Sequence, residues 1–275
     1  MNEDYNQTTM NRRSVILFAS LLFLLLGSWD AVGQSQSADD IFMTAYKNVK
    51  YQGQDRAAKT HMELRNGSGK VIMERDLLVL RKNVEGSLEQ KWYAFFNRPA
   101  DLRKMVFLAQ KNTEDDDDRW IYLPSMDLVK RLAGSDKRSS FAGSQFVYED
   151  ITGRLPGLDT HELISSEGDD YEILSTPKDA KGVEFAYYKS LINKETMIPT
   201  GAIYYSENDE PLKEFKVEKT EIIEGINTVI EFSMTDLQSG DSTYSTFSNV
   251  RYNVGIEDKI FTESYIRRSP RKWLK

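Results

Sequence analysis

The sequence predicts a mainly β fold with a few helices, in which antiparallel strands follow one another as a meander. Segments of alternating apolar and polar residues recur at short, regular spacing through most of the chain, which is typical of antiparallel strands. An early stretch, 37–49, instead has the three- and four-residue spacing of an amphipathic helix.

This helix is the first predicted element. Ser37 is a suitable N-cap, and Asp40 follows three residues later, close to the pattern of a capping box. We expect the helix to pack against the core through one apolar face, which consists of Ile41, Phe42, Ala45, Tyr46 and Val49.

A β-hairpin follows the helix. Strands 57–65 and 71–81 flank the turn residues 66–69, Asn-Gly-Ser-Gly. The last segment, 257–268, is predicted to form a short helix or a final strand. Between these two regions we predict further strands at 88–96, 105–110, 119–123, 128–132, 163–166, 171–175, 184–192, 201–206, 215–222, 228–235 and 243–252.

The N-terminal region predicts a secretory signal peptide over residues 1–33. Arg12 and Arg13 precede the apolar run 15–26, and small residues stand before the expected cleavage point. Cleavage would release residues 34–275 into the periplasm, and no linker or repeat divides this part, which we predict to be a single domain. The alternative is an uncleaved membrane anchor, although the run is shorter than the roughly 20 residues that span a bilayer.

Composition and motifs exclude several classes of function. The net charge of −7 argues against nucleic acid as a partner, and the absence of cysteine excludes disulfides, thiolate metal sites and an acylated lipoprotein N-terminus. His61 and His161 stand alone, without metal-ligand spacing, and the acidic run 114–118 reads as a solvated turn. No nucleophile or phosphate-binding motif is present, so we expect neither an enzyme, nor a cofactor, nor a metal site.

Several strands are apolar on both faces. Trp92, Tyr93, Phe95 and Phe96 share one strand, and 120–123 repeats the pattern as Trp-Ile-Tyr-Leu. A half-exposed antiparallel strand alternates apolar with polar residues instead. Either helices cover the sheet, or one of its faces lines a cavity.

The region 118–151 resembles the LolA-like family of outer-membrane lipoprotein-sorting proteins, and its branch of uncharacterised lipoprotein-sorting domains in particular. The resemblance is carried by Trp-Ile-Tyr-Leu-Pro at 120–124, Lys-Arg at 130–131, Ser-Phe-Ala-Gly-Ser-Gln-Phe at 140–146 and Tyr-Glu-Asp at 148–150. It implies a strongly curved antiparallel sheet, or half-open β-barrel, with helices plugging the concave side around an apolar cavity. It also implies a periplasmic carrier that binds the acyl chains of a lipoprotein or lipid and shuttles them towards the outer membrane.

Strand patterning and this resemblance together give the candidate site. For Glu149 and Asp150 two interpretations stay open: with Tyr148 they form the cavity rim or bind a partner, or they cap a short helix and pair with basic residues nearby. The predicted cavity lining consists of Trp92, Phe96, Phe107, Trp120, Tyr122, Phe141 and Phe146.

Other functions remain open at this level. The chain could be a non-enzymatic accessory protein that docks to an envelope export or assembly machine, or a lipid sensor or structural envelope protein. An inner-membrane transporter and an outer-membrane acceptor are the candidate protein partners. The basic C-terminal tail, 267–275, is interpreted as a charged terminus rather than a membrane contact.

Overall fold

The structure, a computed structural model, describes residues 36–274, so the predicted signal peptide lies outside the described residues. Thirteen antiparallel strands form one sheet, and each overlaps a strand predicted from the sequence. The strands are β1 (Asp55–Arg65), β2 (Val71–Asn83), β3 (Gln90–Arg98), β4 (Val106–Lys111), β5 (Asp118–Leu123), β6 (Leu128–Leu132), β7 (Asp159–Ser165), β8 (Asp170–Pro177), β9 (Tyr187–Asn193), β10 (Pro199–Tyr205), β11 (Pro211–Ile223), β12 (Ile226–Asp236) and β13 (Ser242–Tyr252).

The strand order explains why the sheet is open. The first and last strands, β1 and β13, pair at its centre, with β2 to β6 following outward from β1 and β12 down to β7 following outward from β13. The edges are therefore β6 and β7, and the sheet is not closed into a barrel. The segment 133–158 connects these two edges on the concave side and contains the short helix α2 (Tyr148–Thr152). The half-open β-barrel with helices on its concave side is confirmed.

The helix α1 (Ala38–Lys50) begins at the predicted N-cap. The Oγ atom of Ser37 accepts a hydrogen bond from the backbone N–H of Asp40 at 3.1 Å, which satisfies one of the free donors of the first turn. Ile41, Ala45 and Tyr46 are buried on the face that packs against the sheet. Neither described helix has the length and hydropathy of a membrane-spanning helix.

The C-terminal segment 254–274 covers the convex face of strands β1–β5. Only Asp258–Phe261 forms a short 3-10 helix, and the rest is a series of turns. Its Phe261 is 1% exposed and belongs to the same apolar cluster as Tyr93 and Leu108 of the sheet. Backbone N–H groups of Val254 and Ile256 donate to the Asp55 carboxylate at 2.7 and 2.8 Å, which fixes the entry of the segment.

Candidate functional site

An apolar cavity of about 290 Å³ lies on the concave face of the sheet. Its floor is formed by alternate residues of β1–β3 and β9–β13, its walls by α1 and by the segment 138–154, and it is partly open to solvent. The volume is near the lower end of the roughly 300–1,000 Å³ that is typical of ligand pockets.

The floor of the cavity has an aliphatic half and an aromatic half. Met62, Leu77 and Val79 line it on β1 and β2. On the other side, Phe232 packs against Phe247 with ring centroids 5.0 Å apart and is also in contact with other rings of the wall. Such a surface excludes water and suits a hydrocarbon chain without requiring a fixed orientation.

The structure places three of the seven predicted lining residues in the cavity wall: Trp92, Phe141 and Phe146. Phe96 and Phe107 lie on the same face of the sheet but beside the cavity. There they pack beneath Phe141, with ring centroids 5.7 and 5.6 Å from its ring.

Trp120 and Tyr122 lie on the opposite, convex face. Trp120 stands directly across from Leu108, and both belong to the cluster under the C-terminal segment. Because side chains alternate along a strand, the inward-facing residues of β5 are the neighbouring ones, such as Ile121. The Tyr122 hydroxyl bonds Asp127 at 3.2 Å, outside the cavity.

The turn in segment 140–147 explains why two aromatic rings face the same way. Gly143 has a positive φ of 79°, and the N–H of Phe141 donates to the carbonyl of Phe146 at 2.8 Å. Both rings therefore reach the inner cluster. The turn is tied to the sheet because the N–H of Gln145 donates to Thr243 of β13 at 2.9 Å.

The predicted rim residues are largely occupied by contacts within the protein. The ring of Tyr148 packs on that of Phe107, with centroids 5.2 Å apart, and burial raises the pKa of the Tyr148 phenol. Asp150 accepts a hydrogen bond from the N–H of Val147 at 2.8 Å and caps α2, while burial raises the pKa of its carboxyl. Glu149 forms ion pairs with basic residues, as one of the two sequence interpretations expected.

These ion pairs form a charged wall at one side of the cavity. The Glu149 carboxylate lies 2.9 Å from the guanidinium of Arg138 and 3.5 Å from that of Arg154. Arg154 also pairs with Asp159 at 2.8 Å, and the hydrogen bond and charge of that carboxylate raise the pKa of the guanidinium. Both carboxylates thus have cationic partners within the chain.

Lys50, near the end of α1, connects the helix to α2. Its Nζ donates to the carbonyls of Asp150 and Ile151 at 3.0 and 3.4 Å. Burial lowers the pKa of the Lys50 ammonium to about 7, and the neighbouring Arg56 lowers it further.

Sequence reasoning missed a polar group on the cavity floor. Arg56 and Thr60 of β1 and Ser245 of β13 line the cavity among apolar residues. They could have been found from their spacing, because Arg56 and Thr60 share the even-numbered face of Met62 and Leu64.

Both histidines have hydrogen-bond partners within the protein. His161 bonds Ser175 at 2.8 Å, but Ser175 is 0% exposed and cannot reach a substrate. His61 bonds Asp76 at 2.7 Å on a partly exposed strand face. Within residues 36–274 no group of His, Asp or Glu side chains is arranged to hold a metal ion.

Comparisons with known proteins agree with this architecture. A family model described as "Uncharacterized protein" matches residues 88–268. A DUF1329 family protein from Desulfovibrio piger is 28% identical with a TM-score of 0.76, and the match covers 83% of this chain and 97% of that one. No curated protein matches the chain.

Two further solved structures have the same fold. A domain from Vibrio parahaemolyticus, described as an outer membrane lipoprotein-sorting protein domain, is 24% identical with a TM-score of 0.76, and 84% of this chain and 98% of that one are covered. A LolA superfamily protein from Nitrosomonas europaea is 20% identical with a TM-score of 0.63, and the match covers 84% of this chain and 100% of that one.

Proposed function

Because the chain belongs to the family whose model matches residues 88–268 and has the LolA-like fold, we propose that it is a carrier of acyl chains. Its cargo is a lipid or the acyl part of a lipoprotein, held in the concave cavity and moved through the periplasm towards the outer membrane. The observation that supports this most directly is the apolar cavity of about 290 Å³ on the concave face of the sheet.

The free energy of burying an acyl chain is compatible with a carrier that both loads and releases its cargo. Burial of a methylene is worth about 0.8 kcal/mol, so a chain of roughly sixteen carbons gains on the order of 12 kcal/mol in either membrane or carrier. To extract its cargo, a carrier must bind the acyl chain with a free energy close to that of the membrane. To release the cargo again, its binding must not be much stronger than that of the membrane. A floor of aliphatic and aromatic side chains provides such a match without covalent chemistry.

The test compares two tryptophan substitutions on the same strand, β10. Ala202 lines the cavity, whereas the next residue, Ile203, does not. We expect native protein to bind dodecanol, measured by displacement of the neutral probe N-phenyl-1-naphthylamine, and to transfer a fluorescent lipid between vesicles. Ala202→Trp fills the cavity and lowers dodecanol affinity at least tenfold, whereas Ile203→Trp binds as native protein does.

Circular dichroism and the thermal midpoint of unfolding establish that both variants fold. Equal binding by Ala202→Trp and native protein would place the acyl site elsewhere. Absence of acyl binding by native protein, together with a stable protein partner in native mass spectra of envelope extract, would favour the docking function instead.

A further inference from the structure

Two arginines stand directly opposite each other on β1 and β2, and their surroundings differ. Arg56 and Arg81 are a register pair, and their side chains are 8% and 1% exposed. Arg81 donates to the backbone carbonyls of Lys50, Gln52 and Gly53, just after α1, where the negative end of the helix dipole also favours a cation. Arg81 therefore has a structural role.

Arg56 has no such backbone partners in the described part of the chain. Its Nε atom, like that of Arg81, has no hydrogen-bond acceptor, and no described carboxylate lies within 4.0 Å of its guanidinium. The guanidinium lies 4.9 Å from the ring centre of Phe247, and burial lowers its pKa. Tyr252 favours the charged form, but it offers a hydroxyl rather than a counter-charge, and that hydroxyl already bonds Thr228 and Gln52.

Two hydroxyl groups without partners lie on the same floor. The Oγ1 atom of Thr60 and the Oγ atom of Ser245 are buried and make no hydrogen bond, and the residues are 6% and 1% exposed. Thr60 faces Phe247, the ring that Arg56 covers, across the ladder, and Ser245 faces Met62 two positions further along. Arg56, Thr60 and Ser245 are called the inner polar patch below.

An unpaired buried charge and two unsatisfied hydroxyls are unfavourable in an apolar floor. The cationic groups around the end of α1 add to this cost, because Arg56, Arg81 and Lys111 all disfavour the charge on Lys50. The nearby carboxylates are engaged elsewhere, because Glu149 is paired with two arginines and Asp150 caps α2. What Arg56 lacks is an anion that also accepts its hydrogen bonds.

We propose that the inner polar patch binds the anionic oxygen head group of an amphiphile whose hydrocarbon tail lies along the apolar floor. This inference rests on the proposed function and gives its cargo a chemical class: an acyl or alkyl chain ending in a carboxylate or a phosphate. The guanidinium supplies the charge and paired N–H donors for the head group. The head group thus enters the cavity instead of staying at its mouth.

Dodecanoate, dodecyl phosphate and dodecanol test this inference, because they share one tail and differ in head group. Each is measured at pH 8 by displacement of N-phenyl-1-naphthylamine. We expect native protein to bind at least one anion about tenfold or more tightly than dodecanol, as a charge-assisted hydrogen bond would provide. The stronger of the two anions identifies the head group as carboxylate or phosphate.

Arg56→Gln should abolish the preference for the anion, so that the variant binds the anions no more tightly than it binds dodecanol. Arg103→Gln, at an exposed arginine, should keep it. Because Arg56→Gln removes an unpaired buried charge, its thermal midpoint should stay equal to or rise above that of native protein, whereas Arg81→Gln should lower it.

Arg56→Lys retains a charge and should keep part of the preference for the anion, which tests the head group independently of the glutamine variant.

Two results would overturn the inference, and they are distinguishable. If native protein binds dodecanol as tightly as both anions, or if Arg56→Gln keeps the preference, the head-group site is wrong while the carrier function stands. If native protein binds none of the three compounds, the proposed function fails and the inference fails with it.

Discussion

Both faces of strands β2–β4 are largely apolar, but they are covered in different ways. The convex face, with residues such as Tyr93 and Leu108, is covered by the C-terminal segment 254–274, which buries these side chains almost fully. The concave face, with Trp92 and Ala94, meets α1 and segment 138–154 and is left with about 290 Å³ of space. The convex face is part of a hydrophobic core, whereas the concave face lines a cavity.

The polar groups differ in the same way. On the convex side Asp55 receives two backbone N–H groups, and the Tyr93 hydroxyl donates to the carbonyl of Arg268 at 3.0 Å. On the concave side the Nε atom of Arg56 and the hydroxyls of Thr60 and Ser245 have no partners. Satisfied polar groups are the rule in a folded protein, and these three line the cavity in which we propose that the head group binds.

The largest effect is expected from a truncation on the convex face. Phe261→Ala removes a side chain that is 1% exposed, and the cavity that it leaves should lower the free energy of unfolding by about 3–5 kcal/mol. For a domain of this size the thermal midpoint should fall by about 10 °C. Scanning calorimetry measures the shift.

Phe215→Ala is the matched truncation on the concave face. Phe215 is only partly buried and borders the cavity, so its removal should cost less than half as much. Equal losses for the two variants would show that the concave face is packed as tightly as the convex one, contrary to the comparison.

A further difference between the faces concerns pH. The pKa of Lys50 is about 7 in the folded protein and 10.5 for the free side chain. The unfolded chain therefore binds more protons between pH 7 and 10.5, so the free energy of unfolding rises with pH in this window, by at most about 1.4 kcal/mol per pH unit. The free-energy cost of burying Lys50 on the concave side thus falls as its ammonium group loses the proton.

Urea titrations from pH 6 to 10 test this sign. Lys50 faces Asp150, Glu149, Arg56, Arg81 and Lys111. Lys50→Met should flatten the rise between pH 7 and 10. Lys47→Met, at an exposed position of the same helix, should keep it. Parallel curves for native protein and Lys50→Met would refute the assignment.

Much of the fold was predictable because the signals for it are local. The thirteen strands follow from alternation and turn residues, and the N-cap at Ser37 follows from its position before an apolar face. The LolA-like resemblance of 118–151 was likewise confirmed by the fold comparisons. The cover of the convex face was not predictable, because segment 254–274 is held by contacts far away in sequence and has no regular period.

Dependence on distant segments also explains why only three of the seven predicted lining residues lie in the cavity wall. Where both faces of a strand are apolar, alternation separates two sets of residues but does not say which set faces the cavity. Trp120 and Ile121 are equally apolar neighbours, and the difference between them depends on the distant segments that cover each face. Arg56 was missed because an arginine in a strand ordinarily faces solvent.

The smallest expected effect separates the two faces by spectroscopy. Trp92 lines the cavity and Trp120 lies on the convex face, and a phenylalanine at either site should cost under about 1.5 kcal/mol. A dodecyl chain carrying bromine quenches tryptophan fluorescence only on contact. Trp92→Phe should remove most of the quenching, whereas Trp120→Phe should leave it unchanged. The opposite result would place the acyl chain beneath the C-terminal segment, on the convex face instead of in the concave cavity.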